Sequence, residues 1–423
     1  MSPEETHNPM MMTQAERVTV PQPRWKTWAR VLLVFILLYF FLGGMRTMGH
    51  GLKDLGRNPD YDKAQAETVE NLPYRGIVYD IFEYADNPLV GLFVGILATS
   101  IFQSSSFTTS FTVALVVTTP LQLHQAVYIV MGANIGTSVT NVGVSFTHIR
   151  RSEEFERAYG AAIVHDFFNV LSVVLLCPLE WIVWKLTGRG LLERCASAMS
   201  HVFYSGAPSG PQPTNFLKES VKPLVEGLDW VLRDGVGLGH TGANAALVFL
   251  GIAMLFASLI LITRTLRSLV LHRVEQFFDK VLFRNAATAY IVGLGLTFVV
   301  QSSSITTSLA VPMVGAGLLT IYQVFPYTLG ANLGTTATAL IASFATSADT
   351  PEQAAVGVAL AFSHMLFNIL GAGVWYPLRR VPIEAARWWA RVASTSKRWA
   401  VIHMLVFFFV LPVLVILIEW LRR

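Results

Sequence analysis

Apolar and polar positions rarely alternate along this chain. They fall into long apolar blocks, several near the length of about 20 residues that a helix needs to cross a bilayer. Five such blocks stand out: Trp28–Met48, Ala158–Trp184, Ala243–Val270, Gly357–Tyr376 and Val401–Trp420. Between them run two longer tracts, Asn87–Ile149 and Asn285–Ala348, of 63 and 64 residues without one Asp, Glu, Lys or Arg. Each tract is long enough for about three crossings. The pattern predicts an all-α polytopic membrane protein.

The two tracts are built alike. An apolar arm (Leu89–Phe102 or Ile291–Val300) leads into a hydroxyl-rich octapeptide, QSSSFTTS from Gln103 to Ser110 or QSSSITTS from Gln301 to Ser308. A second apolar arm follows (Phe111–Val117 or Leu309–Leu319), and each tract then breaks, at Pro120 or at Gly315 and Gly317. A continuous helix from Leu89 to Thr119 would be about 45 Å long, against a hydrocarbon core of about 30 Å. It either tilts strongly or folds back as a re-entrant hairpin with the octapeptide near its tip. Hydroxyls in mid-tract favour the hairpin.

Further blocks repeat in the same order. MGANIGTSVTNV (Met131–Val142) answers LGANLGTTATAL (Leu329–Leu340), and AIVHDFFNVL (Ala162–Leu171) answers AFSHMLFNIL (Ala361–Leu370). This is an internal duplication, with a period too long for a solenoid and suited to a transporter of two structural repeats. Loop charge predicts that the repeats are inverted. The loop before the first octapeptide, His50–Asp86, holds four Lys/Arg and eight Asp/Glu, whereas Arg264–Arg284 holds five and two. The positive-inside rule puts the first outside and the second inside. The expected division is a disordered polar tail over 1–26, a first repeat over 27–185, an extracytoplasmic loop over 186–242, a second repeat over 243–378, and a basic loop with a terminal helix over 379–423. The first apolar run follows Arg24, Lys26 and Arg30 and reads as a retained signal anchor. One conflict remains: counting spans puts the last helix end outside, yet it reads LRR.

Composition narrows the function. Charged residues make up 14% of the chain, against about 25% in soluble domains. A net charge of +4 spread over loops and tails gives no support to nucleic-acid binding. Two cysteines, Cys177 and Cys195, do not form a disulfide framework, and no metal-ligand spacing such as C-x-x-C occurs. No elbow of the G-x-S-x-G kind surrounds Ser104 or Ser302, so a hydrolase is not expected.

In a bilayer each buried polar group needs a partner. Isolated Ser and Thr commonly serve as helix–helix glue, but four identical residues repeated in register go beyond glue. Gln103, Ser104, Ser105 and Ser106, with Gln301, Ser302, Ser303 and Ser304, are candidate anion ligands, because a helix broken at such a point offers backbone N–H groups and a positive dipole end. Thr108, Thr109, Thr306 and Thr307 would support them. Asn134, Thr137 and Ser138, mirrored by Asn332, Thr335 and Thr338, lie among glycines that allow a helix to unwind. Oxygens there suit Na⁺, although Gly132, Gly136, Gly330 and Gly334 also fit small-residue packing. His165, Asp166 and Asn169, echoed by His364 and Asn368, read as hydrogen-bonded support or as a proton relay. Asp166 has no echo, because Met365 stands in its place.

The doubled QSSS, each followed by a GAN-[IL]-GT block, resembles the type II sodium–phosphate cotransporter family, and GANIGTSVTN and VHDFFN look especially close to its first repeat. The resemblance covers Leu89–Leu171 and Ile291–Leu370. It implies a secondary carrier, not an enzyme, that moves inorganic phosphate inward with Na⁺. Both QSSS stretches would line the phosphate site, and Gln301, Ser302, Thr335 and Thr338 would ligate sodium. No organic cofactor is implied; the partners are phosphate, Na⁺ and the lipid bilayer. The loop between the repeats is short and lacks the cysteine pair of animal members, which looks bacterial and points to a cell (inner) membrane. The extra aspartate that electrogenic members use for a third sodium is not placed from the sequence, so stoichiometry stays open, as does oligomeric state. A carrier of another anion (dicarboxylate or sulfate), a proton-coupled carrier and a non-transporting phosphate receptor are the alternatives.

Overall fold

The computed structural model describes residues 24–56, 87–205, 213–278, 285–346, 348 and 350–422. Most of the tail expected over 1–26 and of the acidic loop His50–Asp86 lies outside the described residues. Every regular element among those described is helical. The first half contains α1 (Arg24–Gly56), α2 (Pro88–Phe102), α3 (Ser105–Thr118), α4 (Leu123–Gly136), α5 (Val139–Ser145), α6 (Ser152–Thr187) and α7 (Leu191–Ser205). Helix α8 (Pro213–Trp230) follows. The second half contains α9 (His240–Phe278), α10 (Ala286–Val300), α11 (Ser303–Gly315), α12 (Ile321–Ala345), α13 (Pro351–Trp375) and α14 (Arg380–Thr395). The chain then adds α15 (Arg398–Leu405) and α16 (Leu411–Arg422), joined through a π turn into one span.

Among the described residues, six helical segments are long and apolar enough to cross a membrane: Trp25–Lys53, Leu123–His148, Ser152–Thr187, His240–Leu266, Pro351–Trp375 and Arg398–Arg422. They overlap all five blocks read from the sequence and add the α4–α5 segment. By contrast α2, α3 and α10 have 15, 14 and 15 residues. At 1.5 Å per residue each is about 22 Å long, short of the roughly 30 Å core. Each tract therefore begins with two short helices, α2–α3 or α10–α11, broken at the octapeptide, and not with one continuous span.

The open ends of the two helix pairs lie toward opposite ends of α6. The open end of the first lies with the C-terminal ends of α16 and α6: Asn87 Nδ2 donates to Glu419 Oε2 at 3.1 Å, and His124 stacks on Trp184. The open end of the second lies at the other end of α6, where Arg157 Nε donates to Gly315 O at 3.0 Å. Arg157 and Trp184 lie toward opposite ends of the 36-residue α6, about 40 Å apart along it. The basic residues gather on the second face. Lys397 Nζ donates to Ser152 Oγ at 2.6 Å, and Arg150, Arg151, Arg379, Arg380, Arg387, Arg391 and Arg398 belong to the same or adjoining segments. By the positive-inside rule this is the inner face. The final span thus runs from this basic face at Lys397 to the opposite one at Glu419. The two terminal arginines do not outweigh the basic cluster at its other end.

Two segments read as loops are helical. The stretch expected as an outer loop over 186–242 carries α7 and α8, and the basic loop over 379–397 is largely α14. These helices are amphipathic and lie against the membrane unit. α7 packs on α13, and α14 packs on α6 through Ile383, Ala386, Ala390 and Ala393. Glu180, buried near the outer end of α6, accepts from Leu192 N at 2.6 Å and Glu193 N at 3.2 Å, which caps the start of α7.

Candidate functional site

The octapeptides are not loops. Only Gln103 and Ser104, or Gln301 and Ser302, interrupt each hairpin, and the remaining residues form the first turns of α3 and α11. Gln103 has φ 54° and Gln301 has φ 58°. The left-handed conformation is disfavoured for a non-glycine residue by about 1–2 kcal/mol. Side-chain bonds offset that strain. Gln103 Nε2 donates to Ser100 O and its Oε1 accepts from Thr140 Oγ1 at 2.8 Å. Gln301 Nε2 donates to Phe298 O and its Oε1 accepts from Thr338 Oγ1 at 2.6 Å.

Ser104 and Ser302 are N-caps, accepting from Phe107 N at 3.1 Å and Ile305 N at 3.4 Å. The first N–H groups of a helix have no partner within it, so each tip directs partly unsatisfied donors and a positive dipole end into the protein. Ser105, Ser106, Ser303 and Ser304 are buried around these donors. Thr108, Thr109, Thr306 and Thr307 hold the turn by donating back to Ser104 O, Ser105 O, Ser302 O and Ser303 O. The halves touch here. Ser106 Oγ donates to Gln301 O at 3.2 Å, Ser304 Oγ donates to Thr137 O at 3.3 Å, and the Asn141 amide pairs with the Thr307 hydroxyl.

The second constellation uses its glycines for packing. A Cβ at Gly132 would overlap the Leu92 carbonyl, and one at Gly330 would overlap the Tyr290 carbonyl. Gly136 and Gly334 approach Ile96 and Leu294 in the same way. The expected unwinding is therefore corrected. α12 runs unbroken through Gly330–Thr338, and the first half has only a two-residue interruption at Thr137 and Ser138. Side chains capture the carbonyls there: Asn169 Nδ2 donates to Asn134 O at 2.8 Å, and Ser304 Oγ takes Thr137 O. Ser138 N turns to Ile135 O instead.

The histidines and asparagines interlock across the halves. His165 Nε2 meets Asn332 Oδ1, and Asn332 Nδ2 donates to Asn169 Oδ1 at 2.9 Å. In mirror fashion His364 Nε2 meets Asn134 Oδ1 at 3.2 Å, and Asn368 Nδ2 donates to the same oxygen at 3.4 Å. Asn134 and Asn332 thus give their side chains to this network, whereas Thr335 donates to Ala331 O within its helix. Ser138 Oγ lies 3.4 Å from His165 Nδ1. Asp166 differs from its neighbours. It is 2% exposed, and neither carboxylate oxygen has a hydrogen-bond partner, although Ser138 stands beside it.

Ser100 and Asn141 touch the hairpin tips and were not among the expected ligands, whereas Thr140 extends the Thr137–Ser138 block as Thr338 extends that of Thr335. Thr140 carried a signal, since Thr338 occupies its repeat position. Asn141 carried none, because Ala339 faces it in the alignment of the halves.

Two buried hydroxyl clusters, each at a helix start and neither containing Lys or Arg, meet at depth in a helical membrane protein of duplicated architecture. The class is an all-α polytopic membrane protein whose two halves meet at hydroxyl-rich helix starts. Within it, this chain belongs to the Na⁺/Pi-cotransporter family, whose sequence profile matches residues 40–152 and 254–373. The two matched stretches correspond to the two halves. Similar curated proteins include sodium-dependent phosphate transport protein 2B of Bos taurus, 27% identical over 92% of this chain and 65% of the relative. Protein 2A of Ovis aries is 31% identical over 79% and 62%, and protein 2A of Oryctolagus cuniculus 32% identical over 78% and 60%. The chain spans somewhat less than two thirds of the length of these relatives. No solved structure matches it.

Proposed function

We propose that this chain is a secondary carrier that couples inward Na⁺ movement to uptake of inorganic phosphate, by alternating access between its two halves. The observation that carries the proposal is the meeting of two serine-rich helix starts, at Ser105 and Ser303, with no cationic side chain among them. Phosphate carries about one to two negative charges near neutral pH. Hydroxyls and N–H dipoles satisfy its oxygens but do not cancel its charge, so a bound cation is needed. Gln301 Oε1, Ser302, Thr335 and Thr338 offer oxygens for Na⁺ in the second half, and Thr137 and Ser138 offer them in the first. The relatives' names as sodium-dependent phosphate transport proteins support the same ion and anion.

The test is uptake of labelled phosphate into proteoliposomes with Na⁺ or choline outside. Uptake should require Na⁺, and Ser105→Ala or Ser303→Ala should reduce it strongly in protein that still inserts. Equal uptake in choline, or normal kinetics in both variants, would remove the proposal. Competition by sulfate or dicarboxylates separates the anion classes. A second reading, H⁺ coupling, rests on the unpartnered Asp166 carboxylate. Uptake driven by a pH gradient without Na⁺ would favour it.

A further inference from the structure

Away from the hairpin tips, two cavities meet at the inner face between α10, α12 and α13. One is about 370 Å³ and the other about 380 Å³, and they share Ala286, Pro326 and Tyr376. Their linings differ in character. The first is bordered by Asn285, Tyr322, Gln323 and Arg379. The second is bordered by Tyr290, Ile291, Leu329 and Ala372, with no charged residue. On all three helices the residues nearer the inner face line the polar cavity, and those about one turn deeper line the apolar one. The space exists because small residues, Ala286, Ala289 and Ala372, stand where larger side chains would fill it, with Pro326 between them.

The polar end is a donor set. Asn285 Oδ1 accepts from Thr288 N and Thr288 Oγ1, and Gln323 Oε1 accepts from Thr320 N and Thr320 Oγ1. Backbone N–H partners fix which amide atom is the oxygen, so each residue keeps its NH₂ to donate. The Arg379 guanidinium stacks on the Tyr376 ring at 5.2 Å and pairs with no carboxylate among the described residues. Glu384, drawn to the edge by the Tyr322 hydroxyl, is matched by Arg387 at 2.9 Å. An anionic head with an apolar tail fits this gradient, and basic pockets between membrane helices at the cytoplasmic side suit such lipids.

We propose that one anionic phospholipid of the inner leaflet occupies this double cavity, with its phosphate at Arg379, Asn285 and Gln323 and an acyl chain along Tyr290, Pro326 and Ala372. The site is separate from the candidate substrate site and does not depend on the proposed transport. Because α10 is an arm of the second hairpin, the lipid would wedge that arm against α12 and α13.

The experiment measures thermal unfolding of the purified full chain in neutral detergent with added phosphatidylglycerol, phosphatidylcholine or glycerol 3-phosphate. A ligand that binds only the folded state raises Tm, so phosphatidylglycerol should raise it by roughly double the effect of phosphatidylcholine. Glycerol 3-phosphate should leave it unchanged. Arg379→Gln should bring the phosphatidylglycerol effect down to the phosphatidylcholine level, and Ala372→Phe should abolish both. Arg189→Gln, on the outer face, should respond as the unaltered protein does. Equal responses to the two lipids, or a full response in Arg379→Gln, would overturn the proposal. A response to glycerol 3-phosphate equal to that of the lipid would replace it with a soluble-anion site. If Ala372→Phe does not fold, Arg379→Gln still decides the question.

Discussion

Gln103 and Gln301 share one backbone conformation and one set of side-chain bonds, yet the halves behind them are not copies. Gln103 is exposed and Gln301 half-buried. The first half breaks at Thr137 and Ser138, while α12 stays continuous. Asp166 faces no equivalent, because Met365 takes its position, and Asn141 reaches Thr307 where Ala339 cannot reach back. α1 packs on α3, whereas α9 and α11 are not in comparable contact. The duplication has kept the tips alike and let their supports diverge. The identical part is the one that a ligand lying between the tips would touch from both sides. The unequal part gives one half a buried carboxyl group and a locally opened helix.

The largest expected effect tests what is equal. Gly132→Val and Gly330→Val should each abolish folded protein, since overpacking against a backbone carbonyl exceeds the usual 1–3 kcal/mol of core strain, read here as about 3 kcal/mol or more. Gly143→Ala and Gly295→Ala, where nothing stands within 4 Å of the new Cβ, should purify normally. Size-exclusion profiles decide this, and loss in only one half would break the equivalence of the hairpin packing.

Asp166→Asn comes next and tests what is unequal. The variant should fold, because Asn matches the carboxyl group in size and shape, and its uptake should show an altered dependence on Na⁺ or pH. Met365→Leu should leave transport unchanged. A further contrast sharpens the two tips. Thr338→Val should raise the Na⁺ concentration for half-maximal uptake by about tenfold, the equivalent of about 1.4 kcal/mol. Thr140→Val should raise it less, because water can replace the lost donor at the exposed Gln103. Equal shifts would show that the difference in exposure has no bearing on ion binding. The smallest effect belongs to Asn141→Ala. It removes one bond between the halves and should lower stability by about 1 kcal/mol, since Thr307 retains Ser303 O as a partner. Thermal unfolding in detergent would register it.

Much of this architecture was legible because membrane burial restricts composition. Uncharged tracts of 63 and 64 residues and a hydroxyl cluster in the middle of each were enough to indicate hairpins. The position of the bend was not legible. Nothing in QSSS marks its glutamine as left-handed, a conformation usually given to glycine, because the stabilising bonds come from Thr140 and Thr338, 37 positions away. The glycines admitted both unwinding and small-residue packing, and their use is close approach, a choice that depends on the neighbour and not on the glycine. Helices α7, α8 and α14 were missed as elements because their charged faces interrupt the apolar runs used to find spans. The His–Asn network was visible as paired motifs, but its crossing from half to half was not, since linear order carries no information about which copy a side chain will meet.

That crossing bears on how the protein is made. A chain emerging in order from its N-terminus places Asn134, His165 and Asn169 in the bilayer before α12 and α13 exist. During that interval the Asn134 and His165 side chains lack the His364 and Asn332 partners they have in the finished protein. Unpaired polar groups are held poorly by lipid. The early half must therefore stay close to water or to the insertion machinery until about the last hundred residues arrive, and biogenesis becomes a single late commitment in place of two sequential ones.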